Sequence, residues 1–508
     1  MQFTEIAYLF FLTFVFITYW LLLKRHNKIR NAMLLSASYI FYGWWDWRFL
    51  ILIIFTTLST YFLALFTSDK IRKFALITNI ILNIGVLVAF KYWGFFTDNL
   101  ARLFSWFGWN LDWFTIEVLV PVGISFYTFQ AISYSVDVYK KHVAPCRDII
   151  SFATFIAYFP QLVAGPIERT SNLLPQIISD KQWNRRQATS GLRMILFGVV
   201  KKVAIADILS IYVDRMCDGG NLASPLTTIA ISILFSIQIY CDFSAYSEIA
   251  RGSSRLLGIE IMGNFHFPYF SRNIIEFWRK WHISLMLWFR DYVYIPLGGN
   301  RKGATRTYIN IFIVFLLSGL WHGASWNFVL WGLYWAICYV VAKCFFKLKN
   351  ASQAITLTDL PDIILTFAVA AFGFYIFRCS GWEEIRHGLI NLPYYIGFTF
   401  LLYLATLLIR SKYILKTISS QIFKRSAVVI IAMGLTAFFI IRYPWSLKYY
   451  DIIPFVVIFG VEWYNRNCEY PFYKQSRSKL QRYLLYWTFI LFAVLSEPVD
   501  MSFIYFQF

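Results

Sequence analysis

Between Glu276 and Tyr334 the chain reads EFWRKWHISLMLWFRDYVYIPLGGNRKG, then an apolar run, then LLSGLWHGASWNFVLWGLY. Two of the six histidines, His282 and His322, lie here forty positions apart, and each directly follows a tryptophan. Burying an imidazole among so many rings is costly unless it is hydrogen-bonded. An ionisable side chain at membrane depth is a functional candidate by default. Whether this stretch lies at that depth therefore decides both fold and function.

The rest of the chain answers that it does. Of 508 residues, 59% are hydrophobic. Apolar runs of about 20 residues, enough to cross a bilayer about 30 Å thick, recur from end to end. With the N-terminus outside, hydropathy predicts fourteen crossings, from 6–23 through 426–441 to 483–496. The first run lacks a basic leader and a small-residue cleavage site, so it reads as a retained span. The expected fold is an all-α polytopic membrane protein. No repeat, linker or low-complexity tract appears, so residues 1–508 read as one domain, with a core over 116–345 and an extracytoplasmic tail over 497–508.

The net charge of +20 follows the membrane rather than a polyanion. Lys24, Arg25, Lys28 and Arg30 follow the first span, and Lys70, Arg72 and Lys73 follow the third, as the positive-inside bias requires. A nucleic-acid partner is not expected. The seven cysteines contain no CxxC and suggest neither a zinc knuckle nor a disulfide framework.

Polar groups inside the apolar runs mark where helices meet or chemistry occurs. Asn79 and Asn83, one turn apart, suit helix packing; Lys91 can snorkel from its span end, but helix packing is the expected role of all three. Pro121 to Gln130 interrupts a span with Pro and Gly, and 149–165 reads as re-entrant or interfacial. Lys201 and Lys202 interrupt a helix whose opposite face is apolar. In Gln238 to Gly252, Asp242, Ser244, Ser247, Glu248 and Arg251 recur at helical spacing. Three roles stay open for Asp242: orienting a histidine, contacting a polar acyl donor, or pairing with an arginine as scaffold.

Read as a helix, 276–291 places Arg279, His282, Met286 and Arg290 on one face, with Glu276 and Lys280 paired beside it. This segment suits an amphipathic or re-entrant helix facing a phosphate-bearing donor, and the following Leu297 to Gly303 reads as an ordinary turn. His322 falls near the crest of a helical hairpin. Gly319, Gly323 and Ala324 keep its surroundings small, leaving room for a substrate. A neutral imidazole there suits a general base, although a lone buried histidine is more often structural. His26, His142, His266 and His387 show no metal-site spacing, so no metal is expected. No GxSxG elbow, Walker loop or dinucleotide fingerprint accompanies them.

The block FWRKWHISLMLWFRDYVYIPLGG, followed by GLWHGASWNF and joined by the Pro121–Gln130 and Phe159–Arg169 blocks, closely resembles the membrane-bound O-acyltransferase (MBOAT) family. More narrowly, it is similar to the bacterial branch that O-acetylates alginate and related cell-surface polymers. The resemblance implies a helical bundle with re-entrant segments around a central tunnel, in a bacterial inner membrane. It implies an acyl group, acetyl or another short one, taken from a cytoplasmic thioester and delivered to an extracytoplasmic polymer. The donor is acetyl-CoA or an acyl-carrier thioester, with no resident cofactor.

On that resemblance His322 is catalytic, and His282 is either catalytic too, assisting or gating, or serves donor binding or the structure of the tunnel. Arg279, Arg290, Asp242, Gln238, Trp281, Trp321 and Asn327 are the further candidates for donor or substrate contacts. An external Ser-His-Asp transferase is the implied partner, besides membrane lipids. The ending Ser502 to Phe508 carries a Phe-x-Tyr-x-x-Phe pattern found in this branch or in small proteins of D-alanylation systems. Tyr505 is then either an acyl relay or part of an interfacial anchor. Two rivals remain: a transporter or flippase, which calls for inverted repeats and paired midplane charges not visible in the sequence, and a scaffold that recruits a partner enzyme.

Overall fold

A computed structural model describes residues 1–22, 26–66, 68–109, 120–163, 165–218, 222–345, 354–410, 449–468, 479–496 and 503–504. The predicted span 426–441 and Tyr505 lie outside the described residues, within which there is no strand. Seven helices are long and apolar enough to cross a membrane, among them Trp47–Ala64, Ile71–Ser105, Pro225–Leu256 and Gly303–His322. Three shorter apolar helices cover Ile6–Leu21, Ile452–Asn465 and Leu480–Leu495. The chain is a multi-pass helical membrane protein, as its apolar runs require.

The first helices are α1 (Ile6–Ile17), α2 (Asn27–Gly43), α3 (Leu50–Ala64), α4 (Asp69–Leu87), α5 (Trp93–Ser105) and α6 (Ile124–Tyr139). Asn79 does what its spacing suggested: it donates to Ser135 on α6 at 2.6 Å and accepts from Thr60 on α3 at 3.1 Å. Buried amide bonds of this kind join helices that lipid cannot drive together. The Pro121 block marks the start of α6 rather than a kink within a helix. Gly123 there has φ 77°, and a Cβ would sit 2.7 Å from the Leu162 carbonyl. The segment 149–165 folds as α7 (Ile149–Ala157) and α8 (Phe159–Leu162), broken at Tyr158 and buried.

After α9 (Thr170–Ile178) come α10 (Arg185–Lys201), α11 (Asp207–Asp218) and α12 (Pro225–Leu256). The predicted crossing 194–213 falls within a helix that runs from α10 through a π-helical turn, Lys202–Ala206, into α11, and Lys202 in that turn pairs with Asp207. At 32 residues and about 48 Å, α12 is the axis of the bundle. Of its apolar window 89% is buried, against 22% for the span Trp382–Leu407. Its backbone touches that of α10 where small residues face each other: a Cβ on Gly252 would lie 2.6 Å from the Gly191 carbonyl.

The remaining helices are α13 (Ile274–Lys280), α14 (Ile283–Phe289), α15 (Gly303–His322), α16 (Trp326–Phe345), α17 (Leu360–Arg378), α18 (Trp382–Arg410), α19 (Tyr449–Asn465) and α20 (Lys479–Leu495). α15 and α16 form the predicted hairpin, and α17 closes it against α12.

Candidate active site

His322 is the last residue of α15, and its ring is walled by aromatics. Trp321, Trp331 and Phe377 meet it edge-on, with centroids at 4.9, 5.0 and 5.1 Å. The small residues around it do not leave the room for substrate that the sequence suggested. A Cβ on Gly319 would fall 2.2 Å from the Phe328 carbonyl, and one on Gly332 would fall 2.5 Å from that of Phe315. These glycines let α15 and α16 cross closely, and the Phe328 ring takes the space beside Gly323. Lys91 serves helix packing, as expected: its Nζ donates to the carbonyls of Trp321 and His322 on α15.

The continuous helix expected over 276–291 breaks at Trp281 and His282. His282 takes a left-handed conformation, φ 43°, between α13 and α14. Such strain in a residue other than glycine persists only where its surroundings fix it. Here a neighbouring segment does so: the His266 amide donates to the Lys280 carbonyl at 3.0 Å, and the Ile283 amide to the Asn264 carbonyl at 2.9 Å. The break dissolves the predicted shared face. His282 turns inward and is buried, while Arg279 and Arg290 are exposed, and Arg290 pairs with Asp291 at 2.7 Å. The expected Glu276–Lys280 pair forms at 2.9 Å.

What joins the two histidines is Trp321. Its indole packs edge-on against His282 at 5.8 Å and against His322 at 4.9 Å. Phe243 of α12 meets the other side of His282 at 4.7 Å. Burial among these rings lowers the His282 pKa and keeps the imidazole neutral. Trp281 instead packs into a ring cluster with Phe277 and Phe374, a core role.

A polar cavity of about 330 Å³ begins past Phe328 and Asn327, which pack on and bond to Phe377, and is lined also by Lys202, Gln238, Asp242 and Arg378; neither imidazole lines it. Three predicted site residues thus come together in it. Asn327 donates to the Phe377 carbonyl at 3.1 Å and so steadies a ring that faces His322. Asp242 pairs with Lys202 at 2.8 Å, a lysine rather than the arginine or histidine considered from the sequence. It also accepts from the Ile504 amide at 2.7 Å, which brings the C-terminal tail into the cavity.

Beside the cavity lies a charge cluster that sequence reasoning missed as a cluster. Lys201 bonds Glu248 at 3.0 Å, Glu462 at 2.6 Å and Ser244 at 3.1 Å, and Tyr240 donates to Glu462 at 3.0 Å. Lys202 bridges Asp207 and Asp242. The paired buried charges not visible in the sequence therefore exist. Their signal was present as Lys201-Lys202 set against the polar face of α12, but Glu462 lies more than 200 residues from its tyrosine partner.

Chemically, the arrangement offers two ring-enclosed imidazoles that share one indole, beside a polar cavity. Residues 146–382 match the model of MBOAT, membrane-bound O-acyltransferase family. The chain is 37% identical over 369 residues to a protein named probable alginate O-acetylase from Pseudomonas aeruginosa, covering 70% of this chain and 68% of the relative. It is 32% identical over 395 residues to a peptidoglycan O-acetyltransferase of Helicobacter pylori, covering 71% and 73%. It is 28% identical over 272 residues to a teichoic acid D-alanyltransferase of Bacillus subtilis, covering 50% and 68%.

Proposed function

The chain belongs to the membrane-bound O-acyltransferase family, and from that premise we propose that it carries a short acyl group from a cytoplasmic thioester, acetyl-CoA before an acyl-carrier thioester, toward a cell-surface polymer outside a bacterial inner membrane. The polymer class is that of the relatives, which are named for alginate, peptidoglycan and teichoic acid. Its catalytic unit is the domain 1–508, with the bundle around α12 as core.

In the proposed reaction His322 takes the proton from the accepting hydroxyl as its oxygen attacks the thioester carbonyl. The new C–O bond forms, the C–S bond breaks, and the imidazolium returns its proton to the departing thiolate. The products are an ester and a free thiol. Ring walls that exclude water favour transfer over hydrolysis. His282, on the other side of Trp321, orients the thioester or gates its approach. The observation that carries this reading is the convergence of two Trp-His pairs on one indole beside a polar cavity.

The C-terminal tail supports a further step. Phe503 packs on Tyr246 at 4.7 Å and Ile504 lines the cavity, so the segment bearing Tyr505 starts there. Tyr505 then accepts the acyl group as an ester and passes it to an extracytoplasmic Ser-His-Asp transferase. Arg279 and Arg290, exposed on α13 and at the end of α14, receive the donor's phosphates.

The test is a His322→Ala variant in inside-out vesicles supplied with radiolabelled acetyl-CoA. Loss of label transfer with normal insertion supports the reading, and retained transfer sinks it. The buried ion pairs lend some support to a transporter, which would keep its flux in that variant. For the relay, unchanged polymer acylation in Tyr505→Phe overturns it.

A further inference from the structure

We propose that Lys91 is a positioning residue of the acyl-transfer site, acting through the backbone that carries His322. The inference rests on the role given to His322 above. An α-helix leaves its last four carbonyls without helical partners, and a cation is favoured at that end. At α15, three of these carbonyls receive donors from one turn of a neighbouring element. Lys91 Nζ donates to the His322 carbonyl at 2.9 Å and to the Trp321 carbonyl at 2.8 Å, and Tyr92 Oη donates to the Leu320 carbonyl at 2.7 Å.

Adjacent residues of a regular α-helix point about 100° apart and do not serve one neighbour. Here they sit at the end of the π-helical turn Val88–Tyr92, between α4 and α5, where the wider winding turns both toward α15. The Lys91 ammonium also lies over the Trp321 ring, 6.0 Å from its centroid. One cation therefore holds the backbone of both residues and lies against the indole that packs on both imidazoles.

Keeping α15 folded does not require this clamp. The crossing at Gly319 and Gly332 already seats it on α16. What the clamp fixes is the direction in which the last turn presents its side chains. A misplacement of about 1 Å at a reacting group can cost on the order of a hundredfold in rate.

The experiment uses the full chain in inside-out membrane vesicles, which keep the accepting polymer, with acetyl-CoA as probe, reading release of the CoA thiol. In Lys91→Met we expect kcat to fall about 10- to 100-fold with the KM for acetyl-CoA within about twofold and thermal stability nearly unchanged. Lys91→Arg should keep most of the rate, and Tyr92→Phe should show a smaller loss. Lys91 lines an open polar cleft of about 800 Å³ together with Asp98, Arg102 and Trp326. Propylammonium added to Lys91→Ala should therefore restore part of the rate. A full wild-type rate in Lys91→Met, or a rise in KM alone, or a loss matched by unfolding, overturns the inference. Wild-type protein that releases no thiol sinks the functional reading and this inference with it.

Discussion

Two buried polar regions lie side by side in this bundle and are built on opposite principles. Along α10, α12 and α19, lysines and carboxylates bond one another directly, with distances of 2.6 to 3.0 Å around Lys201. Around α13 to α16, the titratable groups are imidazoles enclosed by indole and phenyl rings. Full charges in low dielectric survive only when paired, whereas a neutral imidazole survives among rings and can still take a proton for the length of a reaction. The first region is therefore assigned to stability and the second to chemistry. The division is open to direct attack.

The largest expected effect is on rate. His322→Ala should lower acyl transfer by about a thousandfold, the range of a lost general base, and leave the melting temperature in detergent almost unchanged. A variant that instead melts early would dissolve the distinction. The converse variant is Lys201→Met, which strands Glu248 and Glu462. Removing one partner of a buried ionic group costs about 3–5 kcal/mol, a large share of the 5–15 kcal/mol typical of a folded domain. Poor recovery and a depressed melting point are expected, and adding Glu462→Gln should recover part of the loss in a double-mutant cycle. Equal stability of Lys201→Met and wild type would refute the assignment.

Both regions left marks in the sequence, but of different quality. The hairpin and His322 near its crest were legible because α15 and α16 are long, apolar and separated by Gly323-Ala-Ser325. The His282 segment misled. Its charges repeat at helical spacing, yet the chain breaks at His282, because backbone bonds from Asn264 and His266 favour a left-handed residue there. Propensity carries no information about a partner segment. The charge cluster was half legible: the polar face of α12 showed by periodicity, while its long-range partners Lys201, Lys202 and Glu462 are set by tertiary packing. The same holds for Lys91, whose targets are carbonyls and have no sequence signature at all.

Asp242 joins the charged region to the C-terminal tail and gives the sharper, intermediate test. It neutralises Lys202 and accepts the amide of Ile504. Asp242→Asn removes the charge but keeps an acceptor for the tail, and Asp242→Leu removes both. If the regions are separable, the first variant loses mainly stability, while the second also loses about tenfold in polymer acylation, since an interaction of about 1.4 kcal/mol is worth that factor. Identical acylation in the two variants would detach the tail from the mechanism.

The smallest effect comes from Glu168, a buried acid that stands in neither region. Its hydrogen bonds come from Asn172 Nδ2 at 2.8 Å and from the Met262 amide. Burial pushes its carboxyl up to about 7, against an ordinary value of 4.5. The folded state thus holds a proton that the unfolded chain releases earlier. Below about pH 4.5 both states are protonated and the group costs nothing; as pH rises toward 7 the unfolded chain ionises first, and stability falls. Above 7 the loss is complete and constant. Melting temperature in detergent should therefore drop by a few degrees between pH 5 and pH 8, and the drop should shrink in Glu168→Gln. If pairing is what makes the Lys201 cluster stabilising, an acid bonded mainly by amides should show this opposite sign; a wild-type profile that rises with pH and is flattened by Glu168→Gln is expected only of a carboxylate held by lysine, and would overturn this reading of Glu168.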